Sequence, residues 1–163
     1  MPTSKQKEIK LSSLLKEKFI ILELEQTEKK EVMLELVELI AKSNKLKNKK
    51  AFSKAILERE KLGSTGIGAG LAIPHAKSEN VRGFILVFGR KSVGIDFGAL
   101  DGEKTYLFFA LASPKVEIGG HLKILAEISR LVKDKFIIDL LRKAKTKEEI
   151  LKIIVRSEKH SSS

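Results

Sequence analysis

Two uninterrupted apolar runs, FILVF at Phe84–Phe88 and YLFFALA at Tyr106–Ala112, leave this chain few ways to fold. Gly83 and Gly89 bound the first run, and Thr105 and Pro114 bound the second. Neither alternates with polar residues, so each reads as a strand buried on both faces, and such strands need helices on both sides of their sheet. The expected fold class is α/β: a single domain with a mixed β-sheet covered by helices on both faces.

The rest of the chain supplies the covering elements. Leu11–Leu15 suggests a short helical turn and Phe19–Leu22 a first strand. Thr27 reads as an N-cap, followed by Val32, Leu36, Leu39 and Ile40 on one face of a helix ending near Lys42. A second helix runs from about Lys50 to Lys61, with Phe52, Ala55, Ile56 and Arg59 at helical spacing, until Gly63 stops it. Ser92–Lys104 is a Gly/Asp-rich connection in which Val93, Ile95 and Phe97 alternate, as an edge strand or extended loop. His121–Lys133 is amphipathic, with Leu122, Leu125, Ile128 and Val132 lining one side. Asp134 caps a short helix, and Thr146 with Glu149 has capping-box spacing ahead of Ile150, Leu151 and Ile154. At 163 residues one domain is the expectation, spanning residues 10–157, with flexible ends at 1–9 and 158–163.

Between the second helix and the first apolar run lies Arg59–Lys77, REKLGSTGIGAGLAIPHAK. Gly63, Gly66, Gly68 and Gly70 allow positive φ and close approach of a ligand to main-chain N–H groups. Leu71–Ile73 is a short apolar segment, and Pro74 fixes its own φ while keeping Ile73 extended, so that His75 leaves a strand end in a defined direction, presented rather than buried. A neutral imidazole is a competent nucleophile near neutral pH when its second nitrogen is held by a hydrogen bond. The plainer reading is a surface histidine that happens to follow a proline. Arg59, in the last helical turn, offers a planar donor fork suited to phosphate, or simply complements the helix dipole. Ser64, Thr65 and the N–H groups around Gly66 form either an anion-binding concavity or only a turn. His121 falls in the apolar stripe of its own helix, where a satisfied core histidine is the ordinary explanation. GSTGIGAG lacks both the Walker lysine and the dinucleotide fingerprint spacing, which disfavours a nucleotide site.

Composition removes further classes. With no cysteine, the chain has no disulfide, thiolate metal site or cysteine nucleophile, and three histidines without H-x-x-x-H spacing give no metal site. No apolar run approaches the roughly 20 residues of a membrane span, and the first residues lack a secretory apolar region, so a cytoplasmic location is expected. The net charge of +11 would suit nucleic acid or another acidic partner. Its densest cluster, Lys42, Lys45, Lys47, Lys49, Lys50 and Lys54, has only Phe52 interleaved and reads as a solvated loop and helix start, so no nucleic-acid partner is expected.

The RE-x-x-GSTGIG-x-G-x-AIPHAK core, the DFGALDG segment at Asp96–Gly102, the Tyr106–Pro114 strand ending in ASP, and HLKIL at His121–Leu125 together resemble the enzyme IIA components of the bacterial sugar phosphotransferase system, of the fructose, mannitol and nitrogen type. The resemblance covers roughly residues 10–157. It implies a phosphocarrier in which His75 accepts a phosphoryl group from the phosphohistidine of HPr and passes it to an enzyme IIB, with Arg59, His121, Ser64, Thr65 and Gly66 stabilising the phosphate. It implies no cofactor, and membrane contact only through a sugar permease of the fructose or mannitol class. A nitrogen-type regulatory enzyme IIA, acting by phosphorylation-dependent protein binding, is nearly as close a resemblance and stands as the alternative. A non-catalytic basic binding module, with the histidine incidental, is the alternative from another class.

Overall fold

A computed structural model describes residues 9–161. The elements in chain order are α1 (Leu11–Leu14), β1 (Ile20–Ile21), α2 (Lys29–Ile40), α3 (Lys49–Lys61), β2 (Gly66–Gly68), β3 (Leu71–Ala72), β4 (His75–Ser78), β5 (Ile85–Ile95), β6 (Thr105–Pro114), α4 (Ile118–Leu131), α5 (Lys135–Lys143) and α6 (Lys147–Ser161), with a 3-10 turn at Glu17–Phe19.

The two apolar runs form the centre. β5 and β6 pair antiparallel, and every residue from Ile85 to Lys91 and from Leu107 to Ser113 is buried. β1 adds parallel to β5 on one side. On the other side β6 receives two short parallel strands in succession, β3 at Leu107–Phe108 and β4 at Leu111–Pro114, and β2 pairs antiparallel with β3. The sheet is thus mixed, six-stranded and open. α2 and α3 pack on one another and on β5 and β4, while α1, α4, α5 and α6 form a second layer in which α4 and α5 touch β6. Between the layers, Phe88 meets Phe109 edge-on at 5.1 Å and Phe97 meets Phe108 at 5.5 Å. Each such ring contributes roughly 1.5–3 kcal/mol through burial.

Several local expectations shift. The cap position of α2 is Glu28 rather than Thr27, with no side-chain cap bond, and this start brings Lys29 Nζ to 3.0 Å from Glu60. β5 continues through Ser92 and Val93 to Ile95, so the alternation of Val93 and Ile95 belongs to that strand, not to a separate edge strand or loop. The buried stripe of α4 is His121, Ile124, Ile128 and Leu131, while Leu122 stands 60% exposed. Gly120 sets that rotation, because a Cβ there would lie 2.3 Å from the Phe84 ring. Asp134 caps α5 as expected, accepting from the Phe136 N–H. Thr146 accepts from Glu149 N–H, but Glu149 reaches back to the N–H of Lys145, one residue beyond the cap. α6 runs on to Ser161, and Glu158, assigned to a flexible end, accepts the main-chain N–H groups of Leu11 and Ser12. Residues 1–8, 162 and 163 lie outside the described residues. The six lysines from Lys42 to Lys54 are all exposed, as a solvated surface requires.

Candidate functional site

The backbone around His75 is fully accounted for. Ile73 donates its N–H to Thr65 at 2.9 Å, Pro74 has none to donate, and the Pro74 carbonyl accepts from Leu111 N–H at 2.9 Å. The Ile73 carbonyl is left facing the His75 ring, whose Nδ1 lies 2.6 Å away. A carbonyl only accepts, so the proton sits on Nδ1 and the lone pair on Nε2. Sequence reasoning placed His75 at the exit of a strand; it opens β4 instead, and its side chain is half-buried rather than fully presented. Proline still explains the geometry, because its fixed φ and missing N–H break the edge between β3 and β4 just ahead of His75.

His121, fully buried on α4, comes alongside, its ring centroid 5.3 Å from that of His75 with the planes tilted by 58°. Its Nδ1 lies 2.7 Å from the buried Ser113 hydroxyl at the end of β6. Burial pushes the His121 pKa down to about 4, with the charges of His75, Lys77 and Arg59 acting in the same direction. His75 is lowered too, first by burial; its bond to Ile73 opposes this, while Arg59 and Lys77 reinforce it. Both imidazoles are therefore neutral at neutral pH. Arg59, half-buried in the last turn of α3, donates to the Gly63 carbonyl at 3.0 Å and acts electrostatically on both rings.

The hydroxyls and amides of the glycine-rich turn take a different part from the anion-binding one expected. Thr65 donates its N–H at 2.9 Å and its hydroxyl at 2.7 Å to the buried Glu60 carboxylate. Gly66 N–H donates to Ser64 Oγ at 3.0 Å, and Ser64 Oγ donates to the Phe97 carbonyl at 3.1 Å. These donors are already engaged, and a carboxylate beside Thr65 repels rather than attracts an anion. Among the glycines of the turn, positive φ occurs at Gly68 and Gly70, not at Gly63 or Gly66; Gly66 is needed because a Cβ would come within 3.0 Å of the Ala99 backbone. The turn leans on the Asp96–Gly102 loop, where Asp101 accepts the N–H of Ala69, itself at φ 55°.

The structure thus brings together His75, His121 and Arg59, and assigns Ser64, Thr65 and Gly66 to the scaffold. Sequence reasoning missed Glu60, Lys77 and Ser113 as members of the site. Glu60 and Lys77 stood inside the stretch singled out, but the pairing of Ser113 with His121 has no local signal. No group of three or more metal-ligating side chains occurs among the described residues. No helix among them is long and apolar enough to cross a membrane.

Residues 13–157 match the family described as phosphoenolpyruvate-dependent sugar phosphotransferase system, EIIA 2. The chain is 37% identical over 151 residues to a fructose-specific EIIABC component from Bacillus subtilis, covering 93% of this chain but only 24% of that protein's length. It is equally 37% identical over 151 residues to a nitrogen regulatory protein of Escherichia coli, covering 92% of each. The crystal structure of the nitrogen regulatory protein IIA-Ntr from Neisseria meningitidis superposes with a TM-score of 0.82 at 30% identity, covering 88% of this chain and 98% of that one.

Proposed function

Because the chain belongs to the phosphoenolpyruvate-dependent sugar phosphotransferase system EIIA 2 family, we propose that it is a phosphocarrier that accepts a phosphoryl group on Nε2 of His75. The observation carrying this is the 2.6 Å contact of Nδ1 with the Ile73 carbonyl, which leaves Nε2 unprotonated. In the reaction, the Nε2 lone pair forms a bond to the phosphorus of the phosphohistidine of HPr. The P–N bond of the donor breaks, and its electron pair returns to the donor imidazole. No proton need leave His75, since Nδ1–H stays on Ile73. The second transfer repeats the exchange toward a nucleophile of an enzyme IIB, in the cytoplasm and without a cofactor.

Phosphoryl transfer passes through a loose transition state, so the protein's part is positioning and charge stabilisation. Arg59 supplies a permanent positive charge. When Ser113 donates to Nδ1, neutral His121 carries its proton on Nε2 and can donate it to a phosphoryl oxygen. Incubation with phosphoenolpyruvate, enzyme I and HPr should place one acid-labile, base-stable phosphoryl group on the chain. Equal labelling of His75→Ala would remove the proposal.

The regulatory reading, favoured by the 0.82 TM-score to IIA-Ntr, shares this first step and differs in the second. Transfer from the phosphorylated chain to a fructose- or mannitol-class enzyme IIB supports the permease role. A phosphorylated chain that is not discharged by such enzymes supports regulation by protein binding.

A further inference from the structure

Away from His75, the described residues hold a second concentration of cations for which phosphoryl transfer has no use. Arg90, on β5 and only 9% exposed, donates from Nε to the Leu22 carbonyl at 3.0 Å. Its Nη1 donates to the carbonyls of Leu141 at 2.9 Å and Ala144 at 2.6 Å, with that of Arg142 at 3.3 Å. These carbonyls close the end of α5, so Arg90 fastens that helix to the first strand segment. Its remaining nitrogen, Nη2, makes no hydrogen bond within the described residues, and no carboxylate pairs with it. Lys91, 8% exposed, likewise donates only to carbonyls, those of Leu24 at 2.9 Å and Glu25 at 3.4 Å. The guanidinium carbon of Arg142 sits over the Tyr106 ring, 3.7 Å from its centroid. Together with Ser92, Asp139 and Lys143, these residues line a cleft of about 300 Å³.

Two carboxylates border the cleft, and both are engaged: Asp139 with Lys143 at 3.0 Å, and Glu23 with the N–H and hydroxyl of Ser92. Three cations remain without an anionic partner, two of them buried. Carbonyl dipoles at a helix C-terminus offset part of the cost of burying a cation, but supply no full negative charge. A planar guanidinium held against an aromatic ring keeps its in-plane N–H donors free for an oxyanion.

We infer that this cleft binds a small polyanion, of the size of pyrophosphate or a tricarboxylate, through Arg90, Lys91 and Arg142 with the hydroxyl of Tyr106. It is separate from the phosphocarrier centre: Tyr106 lies five residues along β6 from Leu111, the partner of His75, a distance of roughly 17 Å at strand rise. The volume suits a compact ligand.

Backbone amide NMR of the full chain, titrated at constant ionic strength with pyrophosphate and separately with citrate, tests the inference. Saturable shifts are expected at Lys91, Ser92, Tyr106 and Arg142, and they persist in His75→Ala. Arg142→Gln, which leaves the carbonyl contacts of Arg90 in place, should weaken binding on the order of tenfold, the scale of one charge-assisted contact, and Arg142→Lys should restore part of it. A response to pyrophosphate alone identifies a phosphate ligand; a response to citrate alone identifies a polycarboxylate. Shifts that fail to saturate, that cluster around His75 and vanish in His75→Ala, or that are unchanged by Arg142→Gln overturn the site.

Discussion

The His75 and His121 rings stand 5.3 Å apart, and each is held through its Nδ1, one by the Ile73 carbonyl and the other by the Ser113 hydroxyl. Neither Nε2 is the nitrogen engaged by these contacts, and in the proposed transfer the one on His75 attacks. Because burial lowers both pKa values, the rate of phosphoryl uptake by His75 should stay on its plateau below pH 6.5, the ordinary imidazole midpoint. A pH–rate profile between about pH 5 and 8 checks this. A midpoint at or above the ordinary value would contradict the buried, neutral pair.

His121 also makes folding depend on pH. Its pKa falls from 6.5 to about 4 on folding, so between those values the unfolded chain binds more protons than the native one. Stability therefore rises with pH across that window and is lost as pH falls through it. His121→Gln should flatten the wild-type slope of melting temperature against pH in this range. An unchanged slope would show that other groups carry it.

The sequence left Arg59 two readings, a helix-end partner and a phosphate clamp. Its bond to the Gly63 carbonyl makes it a helix-end partner, so Arg59→Ala should cost roughly 0.3–1 kcal/mol of stability. If it also steadies the transferring phosphoryl group, the same substitution should slow single-turnover phosphorylation of His75 by about 10²-fold. Arg59→Lys keeps the charge but loses the planar fork, and should fall between. Wild-type transfer rates in both variants would reduce Arg59 to its structural part.

Glu60 and Thr65 should behave as one unit. The buried carboxylate takes both donors of Thr65 and pairs with Lys29 at 3.0 Å. Glu60→Gln should lower stability by about 1–3 kcal/mol, since it leaves a donor or acceptor unmatched. In a cycle with Thr65→Val, urea unfolding should give a coupling above about 0.5 kcal/mol. Simple additivity would mean that the two do not share the network.

The net charge of +11 is expected to give only weak, non-specific DNA binding that physiological salt erases, because its lysines are dispersed over the surface. A complex stable at that salt would favour a basic binding module.

The layered fold was legible because Phe84–Phe88 and Tyr106–Ala112 admit no one-sided burial, and α3 because Phe52, Ala55, Ile56 and Arg59 recur at helical spacing up to Gly63. His75 was legible from the proline before it. What stayed hidden needed partners distant in sequence. Free and engaged donors look the same in a string of letters, so Ser64, Thr65 and Gly66 passed for an anion nest until Glu60 and Phe97 were seen to hold them. The apolar residues of α4 fit two overlapping stripes that share Ile128, and only the closure of Gly120 on Phe84 chooses between them. Ser113 is eight residues from His121, but a turn and a change of element separate them.

The break between β3 and β4 places the tautomer of His75 under the control of the main chain. No side chain is recruited to hold Nδ1, so no single side-chain replacement elsewhere removes that hydrogen bond. Ile73 is interchangeable with other apolar residues as far as its carbonyl is concerned. Pro74 is not, since its fixed φ and missing N–H set the break between β3 and β4 at which the Ile73 carbonyl meets the ring.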